Sequence, residues 1–329
     1  MTDLAALTLA LALTLVLTAI GLVVLSAVIG FVVQRLMPPR GSFISVAGER
    51  IHVLEKGQGP PLLLIHGLCG QIGNFTHSLV DRLATDHRVI VFDRPGSGYS
   101  SRAPDSDGSL VAQAALVAGL IRALGLQQAV VVGHSLGGAI ALMLALNHPG
   151  SVRSLALVAP LTQPQAAPPP VFKLLAIRGA GLRRLVAWTI ATPWGILNST
   201  RMLKAVFAPA TGPLDFATRG GGLLTLRPAN FIHASQDMAA AETDLPPLVA
   251  RYGELPCPVH ILFGRGDQIL DPQRNGEQTA ASNPAHITLT LIDGGHMLPV
   301  SAADAVAEFI RQASRADSAS DLSRVMRVE

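Results

Sequence analysis

The sequence predicts an α/β domain: a mostly parallel central sheet with helices on both faces, an inserted helical cap, and an N-terminal transmembrane helix. Three observations carry this. Short β-branched runs alternate with helical stretches over residues 42–160, and the rhythm returns over 252–312. Between them, residues 161–251 carry scattered prolines and the triplet Gly220-Gly221-Gly222 with no clear strand, which reads as a helical cap or lid. Ahead of everything, residues 4–33 contain no charged side chain.

At 329 residues, 49% hydrophobic and 14% charged, the chain suits one large domain with additions and is too apolar for disorder. A formal net charge of +3 carries no nucleic-acid signature. Cys69 and Cys257 are too few for a disulfide framework and read as free thiols of a reducing compartment.

A bilayer crossing takes about 20 apolar residues, and the run over 4–33 exceeds that. A cleaved signal peptide would have a basic start and an apolar stretch of roughly 7–15 residues. Here Asp3 is the only charged side chain before the run, so residues 1–37 read as an uncleaved single-pass anchor. Arg35, Arg40 and Arg50 follow it and no Lys or Arg precedes it. The positive-inside tendency therefore puts the folded domain on the cytoplasmic side.

After the linker Pro38-Pro39-Arg40-Gly41, strands are expected over 42–46 and 50–55, joined at Ala47-Gly48 as a hairpin. A buried strand over 61–65 ends in His66-Gly67-Leu68-Cys69-Gly70. A helix over 74–84 and a strand over 88–92 lead into Asp93-Arg94-Pro95-Gly96-Ser97-Gly98-Tyr99-Ser100. A helix over 110–124 precedes a strand over 129–132, a helix over 136–147 and a strand over 152–158. The second half supplies a strand over 259–263, a helix over 273–281, a strand over 286–292 and a helix over 302–312. The polar segment 313–329 is expected to be a flexible tail.

The junction inside 129–147 holds Gly133-His134-Ser135-Leu136-Gly137. Its glycines let a strand turn sharply into a helix, leaving the serine on a strained turn with its hydroxyl clear of the sheet. The positive end of the following helix faces that position. Two more loops follow strand ends, Gly264-Arg265-Gly266-Asp267 and Gly294-Gly295-His296. Groups at the carboxyl ends of parallel strands converge on one edge of the sheet. A serine is a poor nucleophile at neutral pH; it needs an imidazole to take its proton and a carboxylate to orient that imidazole. Asp271, just before Pro272, reads instead as a helix start, and Asp293 would have to fold back to reach His296.

Jointly, His66-Gly67-Leu68, the 93–100 loop, the serine turn and the two later loops make residues 42–312 resemble the α/β-hydrolase fold superfamily, the cap matching in position only. The resemblance implies that Ser135 is the nucleophile, His296 the general base and then acid, and Asp267 the orienting carboxylate. It implies that the backbone N–H groups of Leu68 and Leu136 form an oxyanion hole. Dehalogenase and epoxide-hydrolase relatives share the 93–100 loop pattern but place aspartate at the elbow. Serine there implies an acyl-enzyme and cleavage of an ester, amide or C–C bond.

His134 beside the serine is read as a structural hydrogen-bonding group, His66 as shaping the oxyanion loop, and Cys69 as a small buried filler. The 93–100 loop is read as the floor of the site. No metal-ligand spacing and no dinucleotide fingerprint occurs, so neither metal nor cofactor is expected.

Residues 171–209 hold Lys173, Arg178, Arg183, Arg184, Arg201 and Lys204 and no acid, interleaved with Phe172, Leu174, Leu175, Leu182, Leu185, Trp188, Trp194, Leu203 and Phe207. A basic amphipathic surface with aromatic residues suits a membrane interface. The alternative is a cap packed on the core with a solvated basic rim. The overall layout is similar to that of membrane-anchored monoacylglycerol lipases. The expectation is a membrane-anchored serine hydrolase of carboxylic esters, taking a small-molecule or lipid ester and using the cap to admit a lipid chain to Ser135. Runners-up on the same fold are a C–C bond hydrolase, an amidase or peptidase, and a haloperoxidase-like enzyme. From another class comes a non-catalytic membrane-bound accessory or scaffold protein, for instance one acting in pigment assembly.

Overall fold

The computed structural model describes residues 2–315, so most of the tail expected over 313–329 lies outside the described residues. Eight strands form one sheet: β1 (Ser42–Val46), β2 (Glu49–Lys56), β3 (Pro61–Ile65), β4 (Arg88–Phe92), β5 (Ala129–His134), β6 (Val152–Val158), β7 (Val259–Gly264) and β8 (Ile287–Ile292). Their order is β1-β2-β4-β3-β5-β6-β7-β8, parallel except where β2 pairs with β1 and β4. Alternate residues of β3 and β4 supply two apolar layers. Leu63, Ile65 and Ile90 face one side; Leu62, Leu64, Val89 and Val91 face the other. Strands covered on both faces have no polar side to show, so they read as continuous apolar runs.

The helices are α1 (Thr2–Leu36), α2 (Gly73–Thr76), α3 (Val80–Leu83), α4 (Leu110–Ala123), α5 (Leu136–Asn147), α6 (Ala180–Val186), α7 (Thr192–Phe207), α8 (Pro228–Val249), α9 (Gln278–Ser282), α10 (Leu298–Ser301) and α11 (Ala303–Arg315). The first sheet layer is covered by α4, α5 and the end of α8, the second by α3 and α11. Two local expectations are corrected. The helix expected over 74–84 is broken between α2 and α3; the His77 side chain there meets Ser78 Oγ and, at 2.9 Å, Asp215. The last helix continues to Arg315 because Ala313 packs into the core; fraying does not begin there.

In the cap, α6 and α7 are joined by a π-helical turn at Ala187–Ala191. Helix α8 joins two packing clusters. Its Phe231 and Ala234 pack with Leu175, Val186 and Ala191, whereas its Ala241, Leu245 and Leu248 pack into the main core. Arg183, expected on the basic surface, is buried. Its Nε donates to Ser235 Oγ at 2.9 Å and its Nη2 to the Ile177 carbonyl at 2.6 Å, so it ties α6 to α8. Arg184, Arg201 and Lys204 are exposed.

Helix α1 is long and apolar enough to cross a membrane, and its first half is exposed all round. Further along, Ser26, Gly30 and Val33 are buried against the cap, where α1 packs on the π-helical turn and on the 3-10 turn Gly222–Leu226. Gly30 faces Arg227 and Pro228, whose side chains would stand in ordinary contact, 3.9 Å, with a Cβ there. At the exit of α1, the Tyr99 hydroxyl donates to the Met37 carbonyl.

Candidate active site

Ser135 sits between the end of β5 and the start of α5 with φ +54° and ψ −122°. This is left-handed backbone that a side chain adopts only under constraint from its surroundings. The constraint is visible: the Ser135 carbonyl accepts from Gly138 N at 2.8 Å and Leu161 N at 2.9 Å. Position 137 must be glycine, since a Cβ would lie 2.1 Å from the Ile65 carbonyl oxygen.

The two later loops meet this turn. His296 Nε2 lies 3.0 Å from Ser135 Oγ, and its Nδ1 lies 2.8 Å from Asp267 Oδ2. Asp267 Oδ1 accepts from the amides of Ile269 and Leu270 at 2.8 and 3.0 Å, which fixes the carboxylate against the imidazole. Asp271 caps the next helix by accepting from Gln273 N at 2.9 Å, and Asp293 is exposed. With Nδ1–H held by the carboxylate, the imidazole presents an acceptor to the hydroxyl. That arrangement can move a proton from Ser135 Oγ onto Nε2.

Burial and the neighbouring His296 push His134 down to about 3. It is neutral at ordinary pH, and its Nε2–H donates to the His296 carbonyl at 3.0 Å. His66, fully buried and next to Arg94, is likewise held well below its usual value. Its Nε2 accepts from Arg94 N at 2.9 Å, which leaves the proton on Nδ1 to donate to the Gly67 carbonyl at 2.9 Å. Gly67 abuts the serine turn so closely that a Cβ would stand 2.8 Å from Ser135 Cβ. Leu68 follows in this loop, and Leu136 opens α5 directly after Ser135. Burial raises the Cys69 thiol to about 12, so it remains protonated.

The 93–100 loop lies beneath. Asp93 accepts from Ile72 N and Tyr99 N, each at 2.8 Å, and pairs with His52 at 2.7 Å. Sequence reasoning missed the buried pair Arg94–Asp237, whose partners stand 143 positions apart and share no local motif. Above Ser135 and His296 is a cavity of about 230 Å³, walled by Phe172, Leu175, Trp194, Leu203 and Phe231. Trp194, expected at a lipid interface, therefore faces the cavity.

The family model described as the alpha/beta hydrolase fold matches residues 60–303, a region that includes Ser135, Asp267 and His296. The chain belongs to the α/β hydrolase fold family. The chain is 31% identical over 285 residues to the magnesium-chelatase 30 kDa subunit of Rhodobacter capsulatus, spanning 84% of this chain and 97% of that protein. It is 39% identical over 126 residues to 2-hydroxymuconate semialdehyde hydrolase of Pseudomonas putida, spanning 37% of this chain and 43% of that enzyme. The crystal structure of a membrane phospholipase A, a bacterial virulence factor, superposes with a TM-score of 0.66 at 25% identity, covering 95% of this chain and 99% of that one.

Proposed function

We propose that the protein is a membrane-anchored serine hydrolase that cleaves carboxylic esters, lipid acyl esters among them. The observation carrying this is one imidazole, His296, placed 3.0 Å from the Ser135 hydroxyl and 2.8 Å from Asp267 below an apolar cavity. In this reading His296 Nε2 takes the Ser135 proton as Oγ adds to the ester carbonyl. Asp267 stabilises the resulting imidazolium, and the N–H groups of Leu68 and Leu136 receive the oxyanion. The imidazolium then protonates the leaving alkoxide. Water, losing its proton to the same nitrogen, releases the acid and restores Ser135.

In this reading α1 is a single-pass anchor, residues 161–251, apart from the end of α8 that packs into the core, are the lid over the 42–160 and 252–312 core, and the basic residues after α1 keep that core on the cytoplasmic side. Residues 3–21 of α1 rise about 28 Å, close to the roughly 30 Å of a hydrocarbon core. The docked half of α1 thus brings the cap to the membrane surface. Leu182, Leu185, Ile196 and Leu197, all exposed, then meet acyl chains, with Arg184, Arg201 and Lys204 near anionic headgroups. The full-length likeness to a membrane phospholipase A supports this reading.

A second reading is favoured by the match along 97% of the R. capsulatus protein: an accessory subunit of a magnesium chelatase. Fluorophosphonate labelling of the full chain in lipid nanodiscs separates the two. Labelling that disappears in Ser135→Ala, with turnover of nitrophenyl esters, supports the hydrolase. A folded protein that takes no label overturns it. Restoration of magnesium chelation by Ser135→Ala in cells lacking the protein identifies the accessory role.

A further inference from the structure

Loop 66–70 and the cap share one buried guanidinium. Arg94, 1% exposed, sends Nη2 to the Gly67 carbonyl and Nε to the His66 carbonyl, each at 3.0 Å. Its Nη1 bonds Asp237 Oδ2 at 2.7 Å and Gln113 Oε1 at 2.6 Å. Asp237 is equally buried and lies on α8 between Ala234, which packs in the cap, and Ala241, which packs in the core. Asp237 Oδ1 also accepts from Arg102 Nη2 at 2.5 Å, so the carboxylate is held from two sides.

The Gly67 carbonyl accepts from three donors: His66 Nδ1 at 2.9 Å, Arg94 Nη2 at 3.0 Å and Gly70 N at 3.1 Å. In a trans peptide the C=O and N–H point to opposite sides. Gly67 and Leu68 line the cavity, whereas Arg94 is buried and is not among the lining residues. Drawing the Gly67 carbonyl back toward Arg94 therefore turns the Leu68 N–H forward, toward the cavity and Ser135.

We propose that Arg94 is the positioning residue for the Leu68 oxyanion donor, and that Asp237 on α8 holds Arg94 in place, so that the seating of the cap sets the oxyanion site. The proposal rests on the ester-hydrolase reading. Without Asp237 the guanidinium keeps Gln113 but loses its carboxylate partner, and the Gly67–Leu68 peptide gains freedom to rotate. The donor matters most when the carbonyl oxygen carries charge, so the loss falls on the transition state and not on substrate binding. Its signature is a fall in kcat at constant KM.

Asp237→Asn keeps the side-chain shape, Arg94→Lys keeps the charge, and Arg94→Met keeps neither hydrogen bonds nor charge. In the full chain in detergent, Asp237→Asn is expected to lower kcat on nitrophenyl butyrate at least tenfold with KM within twofold. It should weaken inhibition by a trifluoromethyl ketone in parallel. In that adduct Ser135 Oγ adds to the ketone carbonyl, its proton passes to His296, and the oxygen becomes an oxyanion. Arg94→Lys should retain more activity than Arg94→Met. A folded Asp237→Asn with kcat and ketone inhibition within twofold of wild type overturns the proposal, as does a raised KM at unchanged kcat. Amide hydrogen exchange over residues 66–70 reads the strut without catalysis. Faster exchange in Asp237→Asn supports it even where the wild type turns over no ester, the case in which the hydrolase reading itself fails; unchanged exchange overturns it.

Discussion

His134 Nε2 donates to the carbonyl oxygen of His296 across 3.0 Å, so the residue just before the Ser135 turn holds the backbone of the loop that presents the imidazole. The bond needs a neutral His134 with its proton on Nε2, and burial supplies the neutrality. A polar side chain on the otherwise apolar β5 is thereby tied to the geometry of the site.

That neutrality makes the fold acid-sensitive. An unfolded histidine titrates near 6.5, and His134 in the fold titrates at about 3. Between those values the unfolded chain takes up a proton that the native one refuses. The contribution of His134 is therefore complete above about pH 6.5 and is lost as pH falls toward 3. At pH 5 the loss from this residue alone is about 2 kcal/mol, and His66 acts in the same direction. Urea unfolding in detergent at pH 7.5 and pH 5 measures it. His134→Gln, which keeps a donor and cannot titrate, should narrow the difference; an unchanged difference would remove His134 from the account.

Arg183 and Arg184 are neighbours with opposite duties. Arg183→Glu puts a carboxylate against the Ile177 carbonyl in the cap interior and loses the bond to Ser235, at an expected cost of about 3 kcal/mol or more. Arg184 is exposed, so Arg184→Glu should leave the melting temperature within a degree or two. It should instead slow turnover in nanodiscs of anionic lipid relative to neutral lipid. Equal melting temperatures for the two variants would contradict the burial of Arg183.

The contrast marks where the sequence is readable. Runs such as 61–65 and 129–132 read as strands covered on both faces, and each of the three key loops sits at the end of a strand, the last of them after the partly exposed edge strand β8. Once the sheet is parallel, Ser135, Asp267 and His296 must come to a common edge. The cap follows different rules. Whether Arg183 faces lipid or protein depends on Ser235, 52 residues later, and the partner of Arg94 lies farther still. The partner of His77, between α2 and α3, is Asp215, 138 positions later. Local periodicity carries none of these pairings, because each is decided by how α8 and its neighbours settle on the core.

Among the three nearby carboxylates, Asp267 alone touches His296. Asp267→Asn offers an amide that can no longer fix the imidazole tautomer, and fluorophosphonate labelling should slow by about 10³–10⁴-fold. Asp293→Asn changes an exposed side chain and should label at the wild-type rate. Labelling that survives Asp267→Asn and fails in Asp293→Asn would reassign the acid.

On the ester-hydrolase reading, the cavity sets a chain-length rule. Its walls are apolar, and each methylene buried there is worth about 0.8 kcal/mol, so kcat/KM for a nitrophenyl ester series should climb about fourfold per added carbon until the space is filled. Ala217 lines the same cavity and is half-buried, so a larger side chain can enter the space without displacing the core. Ala217→Phe should move the optimum to a shorter acyl chain and leave acetate turnover within twofold of wild type. If the optimum stays where it was, the acyl chain runs elsewhere. If acetate turnover collapses as well, the phenylalanine has reached Ser135 itself.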